Sequence, residues 1–348
     1  HWSHITADIL KYVLKVGDIV IAMDGSLVGR SFAMLSDNDV PSLLLQRVAR
    51  IRSENIVQGY LKAWICSNYF TDHSDAVKTV TAIPHISPAD IKAFKIALPP
   101  TKAEQQAIAE ALGDADALIE SLEQLLAKKR LLKQGAMQEL LTGKRRLPRF
   151  KGDWRVRRLG ELSEIRAGGT PSTTQPQFWD GDIPWCIPTD ITKLKGNKYL
   201  TATDRKISHA GLKSSSAEII PANSIIMTSR ATIGECAINR IPVATNQGFK
   251  NFIPFSDVDL EFFYYLLQTQ KNKFIGLCSG STFLEIGKIA LTLFEVYVPK
   301  EKTEQTAIAA ILADMDLEID AIETQLAKTR QLKQGMMQEL LTGRIRLI

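Results

Sequence analysis

The sequence has few cysteines, few histidines and no long apolar run. Its four cysteines, Cys66, Cys186, Cys236 and Cys278, lie far apart without a CxxC pair. Neither a disulfide framework nor a zinc site is indicated, and all four read as buried small hydrophobes. No uninterrupted apolar stretch approaches the roughly 18–20 residues of a membrane span, and the start lacks the basic, apolar, small-residue order of a signal peptide. The cytoplasm is the expected compartment. Residue 1 is His rather than Met, so the native start is expected upstream. No GxGxxG or Walker motif follows a strand-like run, which leaves no dinucleotide or phosphate cradle. The Asn/Asp-Pro-Pro-aromatic tetrapeptide of amino-methyltransferases and the GxSxG turn are missing too. Among the five histidines, His1 and His4 are spaced i, i+3 without acidic or Cys companions, while His73, His85 and His209 stand alone. The chain therefore reads as a non-catalyst, with no catalytic residue, metal site or cofactor of its own.

What is present suits a folded protein of two or three domains. The 348 residues are 45% hydrophobic and 23% charged, which excludes a disordered or low-complexity chain. The 43 Lys and Arg against 38 Asp and Glu leave a formal +5, an excess that permits an anionic partner without demonstrating one.

The chain repeats itself. Residues 101–143 align with 301–343 at an offset of 200 without a gap, and 26 of the 43 positions are identical. LKQGAMQELLTG (132–143) faces LKQGMMQELLTG (332–343) with one difference, Ala136 against Met336. Weaker likeness extends upstream, where VGDIVIAMDGSLVG (16–29) resembles ANSIIMTSRATIG (222–234). Ile108, Leu112, Ala115, Ile119, Leu122 and Leu126, matched by Ile308, Leu312, Met315, Ile319, Ile322 and Leu326, recur at alternating four and three. That is the apolar seam of a coiled coil. Thr101 with Glu104 forms a capping-box pattern, and Gly143 and Gly343 sit where a C-terminal glycine belongs. About forty residues at 1.5 Å rise make a rod of about 60 Å. Each rod's cheapest partner is its own copy, and the connectivity requires the two to run antiparallel. Gly135 and Gly335 sit inside these helices, where Gly costs about 1 kcal/mol relative to Ala. Either a close backbone approach, by the other helix or by a partner protein, or a harmless local bend accounts for them.

The expected fold is α+β, with two mainly β domains separated by a long antiparallel two-helix coiled coil and related by a pseudo-twofold internal repeat. Domain 1 covers 1–100, the first helix 101–143, domain 2 residues 144–300 with a basic linker at 144–153, the second helix 301–343, and a tail 344–348. Runs such as EIIPANSIIMTS and LFEVYVP read as strands, and 259–275 reads as one helix with its counterpart at 59–70. Leu14 aligns near Ile219, so about the first fifty residues of domain 2 have no counterpart in domain 1. The polar loops of domain 2 interleave aromatics and bases: Thr170, Ser172, Thr173, Phe178, Trp179, Trp185, Thr189, Asp190, Lys193, Lys195 and Lys198, then Arg230, Asn246, Gln247 and Lys250. Lys and Arg suit phosphates, while Arg, Asn and Gln can pair with base edges. Domain 1 offers Asp24, Ser26, Arg30, Gln46, Arg47 and Arg50. Two similar readers on one frame match a split site on duplex DNA. The alternative is an assembly scaffold whose globular ends bind protein instead of DNA.

These residues resemble the specificity subunits of type I restriction–modification systems. The likeness is carried by EQ-x-A-I-A…L-x-D-x-D (104–116 and 304–316), QELLTGKRRLP-x-F (138–150), GGTPS (168–172), IPW (183–185), NQGF (246–249) and GST (280–282). The resemblance implies two target-recognition domains that read a bipartite DNA site. It also implies helices that dock two modification subunits, which hold S-adenosylmethionine, and a restriction or motor subunit. Lys133, Gly135, Met137 and Glu139, with Lys333, Gly335, Met337 and Glu339, are the candidate partner contacts. Domain 1 departs from the pattern: it lacks the GGTPS…IPW portion and has Leu45-Gln46 where domain 2 has Asn246-Gln247.

Overall fold

The computed structural model describes residues 7–278 and 284–347. The His1/His4 pair and the GST motif at 280–282 lie outside the described residues. The chain forms two compact units, residues 1–126 with 321–348 and residues 127–320, called unit 1 and unit 2 below.

Unit 1 has a three-stranded antiparallel sheet of β1 (Ile19–Ala22), β2 (Phe32–Met34) and β3 (Val48–Ile51), ordered β2-β1-β3. Helix α1 (Gln58–Ile65) follows, then the start of α2 (Lys102–Leu140). Unit 2 is richer in strands: β4 (Trp154–Arg158), β5 (Ser163–Ala167), β6 (Trp179–Cys186), β7 (Tyr199–Leu200), β8 (Arg205–Ile207), β9 (Ser224–Thr228), β10 (Cys236–Asn239), β11 (Ala244–Thr245), β12 (Phe249–Pro254) and β13 (Glu295–Pro299). They form sheets ordered β5-β12-β9-β10-β7, β11-β6-β8 and β13-β4. Helix α3 (Leu260–Thr269) precedes β13, and α4 (Lys302–Leu341) follows it. β1 pairs Ile19 with Met34 and with Ile51, as β9 pairs Ile225 with Ile238 and with Phe252. The β2-β1-β3 sheet is thus the counterpart of β10-β9-β12. Among the described residues unit 1 has no equivalents of β4–β8, which agrees with the gap read from the sequence.

The apolar runs explain the order. SIIMT of β9 and CAIN of β10 are buried at every position, as strands covered on both faces must be. Behind them α3 buries Phe262, Phe263, Tyr264, Tyr265, Leu266 and Leu267. The expected single helix over 259–275 breaks at Gln270, whose N–H bonds the Leu267 carbonyl at 3.0 Å and closes a tighter turn. The following short helix (Lys271–Gly276) buries Phe274 against Phe294, with centroids 5.0 Å apart. The counterpart region likewise ends α1 at Ile65 and starts a new helix, with Ser67 Oγ accepting the Phe70 N–H at 3.3 Å.

The helical seam lies where the heptads place it. Ile108, Leu112, Leu122 and Leu126 are buried, as are Ile308, Leu312, Ile319 and Leu326. Within each unit the early turns of one long helix run antiparallel to the late turns of the other. Unit 1 pairs Lys333 with Asp116, Arg330 with Glu123 and Arg346 with Glu104. Unit 2 pairs Lys133 with Asp316, Lys129 with Glu318 and Arg146 with Glu304. Lys133–Asp316 and Lys333–Asp116 are the same pair one repeat apart, and so are Arg146–Glu304 and Arg346–Glu104. The capping box at Thr101 forms only in part: Thr101 Oγ1 accepts the Glu104 N–H at 3.2 Å, but the Glu104 carboxylate turns to Arg346. A close approach by the other helix does not explain Gly135 and Gly335. A Cβ at either would meet nothing within 4 Å among the described residues.

Glu304 is 1% exposed and accepts from Arg146 Nε at 2.7 Å, Arg146 Nη2 at 2.9 Å and Trp154 Nε1 at 3.1 Å. Glu304→Ala should therefore cost about 2 kcal/mol, because two buried or half-buried donors lose their acceptor. Among the described residues Glu104 has no tryptophan donor, and its Arg346 is more exposed than Arg146, so Glu104→Ala should shift the urea midpoint less. Equal shifts in the two variants would contradict this account.

Candidate nucleic-acid interface

In unit 2 the two glycines of GGTPS let loops meet. A side chain at Gly168 would collide with the Asn246 carbonyl and one at Gly169 with the Ala217 backbone. The Gly169 N–H instead bonds the Thr245 carbonyl at 2.8 Å, and Trp185 Nε1 donates to the Gly169 carbonyl at 3.0 Å. This brings Thr170 to Gln247, whose side chains are hydrogen-bonded. The Asn246 side chain accepts the Gly248 N–H at 2.9 Å and fixes the turn. Ser229 N–H donates to the Gly248 carbonyl at 2.7 Å, which sets Arg230 beside that turn. Arg230 Nε donates to Glu285 Oε2 at 2.8 Å, and Lys250 Nζ to Glu285 Oε1 at 3.2 Å and Ser229 Oγ at 3.3 Å. Burial raises the Glu285 carboxyl, but the hydrogen bonds from Arg230 and Lys250 outweigh it and hold the group below its ordinary value. Thr170, Arg230, Asn246, Gln247 and Lys250 thus share one corner. Lys250 is 6% exposed and serves mainly to anchor Glu285.

The other expected residues lie elsewhere. Ser172 and Thr173 are exposed on the loop that Trp179 Nε1 holds through the Ser172 carbonyl at 3.1 Å. Phe178 is half-buried beside them. Thr189, in a short helix (Pro188–Thr192), and Lys193 and Lys195 past its end are exposed, and Lys193 is paired with Asp204. Asp190 in that helix is buried, and both its oxygens take backbone N–H groups, those of the N-cap residue Ile187 at 2.8 Å and Asp204 at 3.2 Å. The geometry makes it a fastener between the start of that helix and Asp204. Lys198 points to Glu261 and Tyr265. Arg205 was not singled out by its sequence. Its guanidinium lies over Trp179 at 4.1 Å and Trp185 at 5.2 Å because β8 runs beside β6, and no local pattern announces that pairing.

Unit 1 has the matching corner with an acid where unit 2 has a base. The Ile86 N–H bonds the Met23 carbonyl as the Ile286 N–H bonds that of Ser229, so Asp24 and His85 stand where unit 2 has Arg230 and Glu285. His85 Nδ1 lies 2.5 Å from Asp24 Oδ1, and Arg47 Nε is 3.6 Å from Asp24 Oδ2. His85 is therefore not isolated. Ser26 and Gln46 are exposed, Arg30 is held by Asp75, and Arg50 is spent on the Lys11 and Val13 carbonyls at 3.1 and 3.3 Å.

At the late turns of the long helices, Gly135 and Gly335 are exposed beside Leu131, Leu132 and Leu332, which are 50–68% exposed. Met137 and Met337 pack on the cores of their units, while Glu139 and Glu339 pair with Arg145 and Arg344. Lys133 and Lys333 face inward to Asp316 and Asp116.

Asp190→Ala should cost about 1–2 kcal/mol, since it leaves two backbone donors without their acceptor. Its DNA affinity per folded molecule should match that of the parent chain, read by thermal unfolding alongside anisotropy titration. A folded, equally stable variant with weakened binding would return Asp190 to the interface.

Among the described residues no helix is long and apolar enough to cross a membrane. The specificity subunit of the type I restriction enzyme MjaIX of Methanocaldococcus jannaschii is 37% identical over 175 residues, 50% of this chain and 39% of its own length. That of EcoR124I/EcoR124II of Escherichia coli is 28% identical over 189 residues, 52% of this chain and 45% of its own. The matches thus span less than half of either relative. The crystal structure of the type I restriction-modification system S subunit from M. genitalium has a like fold, with a TM-score of 0.61 at 17% identity over 95% of this chain and 84% of that one. Residues 4–128 and 151–331 match the type I restriction modification DNA specificity domain, and with most of its length in that match the chain belongs to this family.

Proposed function

We propose that the chain is the non-catalytic DNA-recognition subunit of a cytoplasmic type I modification enzyme, reading a bipartite duplex site. The observation that carries this reading is the pair of equivalent corners on one repeated frame, Arg230–Glu285 with Gln247 in unit 2 and Asp24–His85 with Arg47 in unit 1. Arg pairs with the acceptors of guanine, whereas a carboxylate accepts from cytosine, so opposite polarity at one position suits two readers of different sequence. Exposed Lys193, Lys195, Ser172 and Thr173 supply phosphate contacts. The exposed leucines around Gly135 and Gly335 suit the docking of two modification subunits, which carry S-adenosylmethionine, with a restriction subunit joining the complex. The family membership favours this over an assembly scaffold that binds only protein.

The test is anisotropy titration of the complex with its modification subunits, on the duplex that methylation mapping identifies and on a scrambled duplex, over a range of salt. Log affinity should fall linearly with log salt, as phosphate contacts require. Arg230→Ala should cost about 1–3 kcal/mol on the mapped site and little on the scrambled one. Equal losses on both would make Arg230 a phosphate contact, and no binding to either duplex would favour the protein scaffold.

A further inference from the structure

The two units share one docking frame with different contents. In unit 2 the Asp259 N–H donates to Gln305 Oε1 at 2.8 Å, and Gln305 Nε2 donates to the Pro299 carbonyl at 3.2 Å. In unit 1 the Val57 N–H donates to Gln105 Oε1 at 3.0 Å, and Gln105 Nε2 to the Pro99 carbonyl at 3.2 Å. These bonds set α1 and α3 on equivalent turns of the long helices. Counting on from them, Ala63 stands where unit 2 has Tyr265.

Tyr265 is fully buried, and its hydroxyl donates to Asp316 Oδ2 at 2.5 Å. Asp316 Oδ1 is paired with Lys133, whose Nζ lies 5.4 Å from the Tyr265 ring centroid. Unit 1 keeps both charged partners: Lys333 is paired with Asp116 Oδ1. It lacks the ring. Asp116 Oδ2 faces Lys62 Nζ at 3.9 Å, beyond hydrogen-bond reach. Where the phenol of Tyr265 sits in unit 2, unit 1 has a cavity of about 110 Å³ lined by Ala63, Ala109, Leu112, Gly113, Asp116 and Lys333, among others. Gly113 leaves it open, since a Cβ there would meet nothing within 4 Å. A second cleft of about 480 Å³ shares Cys66, Lys333 and Met337 with it.

We propose that this cavity is a binding site for a small para-substituted phenol. The ring takes the place of the missing tyrosine, its hydroxyl donates to Asp116 Oδ2, and the para substituent leads towards the larger cleft. The cavity is smaller than the apolar protein cavity of about 150 Å³ that takes up benzene, and the ring is accommodated because the wall is open at Gly113, which is exposed. The charged acceptor distinguishes the site from a plain apolar hole, because it gives the hydroxyl a partner that a hydrocarbon cannot use.

The experiment is calorimetric titration of the full chain with p-cresol and with toluene. One saturable site is expected, with p-cresol bound about tenfold more tightly than toluene, the worth of a hydrogen bond to a charged group. Asp116→Leu, which removes the acceptor, should bring the two ligands to the same affinity. Ala63→Tyr should abolish p-cresol binding and raise the melting temperature by supplying the ring covalently. Absence of saturable p-cresol binding to the parent chain would overturn the proposal, as would equal affinities for p-cresol and toluene or undiminished binding by a folded Ala63→Tyr variant.

Discussion

How the two long helices cover their apolar stripes decides most of what the chain can be. A helix of about forty residues with leucine and isoleucine every three or four positions cannot leave that stripe in water. Its copy offers the same stripe, so antiparallel pairing satisfies both at once and places each lysine of one repeat against the aspartate of the other. Lys133–Asp316 and Lys333–Asp116 are that statement in side chains. Such exposed or half-exposed pairs add little energy alone. They fix register, because a slip by one turn would separate Lys133 from Asp316 and Lys333 from Asp116 together.

On this frame the units are free to differ. Gln105 and Gln305 hold α1 and α3 by the same pair of hydrogen bonds, while the side chains beyond them diverge. Arg230 with Glu285 becomes Asp24 with His85, and Tyr265 becomes Ala63. The positions that define the docking are kept while others change, which is the pattern expected of a duplicated frame whose two copies diverge.

Much of this was legible in the sequence because it is periodic or local. The 200-residue offset announces the two halves, and the heptad positions predict burial of Ile108, Leu112, Ile308 and Leu312. The GGTPS and NQGF loops were readable as polar loops, and the structure brings Thr170 to Gln247. What was not legible depends on contacts between distant segments. Asp190 looks like any loop carboxylate until its two backbone donors, Ile187 and Asp204, are seen around it. Arg205 gains its place only when β8 pairs with β6. The break at Gln270 follows from where Phe274 must pack, which helical periodicity does not record. Glu104 has the spacing of a capping box, yet Arg346, far along the chain, offers its carboxylate a charged partner that a backbone N–H cannot match.

The central claim is that one repeated frame carries two readers of different DNA sequence. It is tested most directly by sequencing the duplexes that the assembled complex retains from a random library. The account predicts enrichment of a split motif, with two short specified blocks of unlike sequence separated by unspecified positions. Retention of DNA without enrichment of any motif, or of one uninterrupted motif, would contradict it.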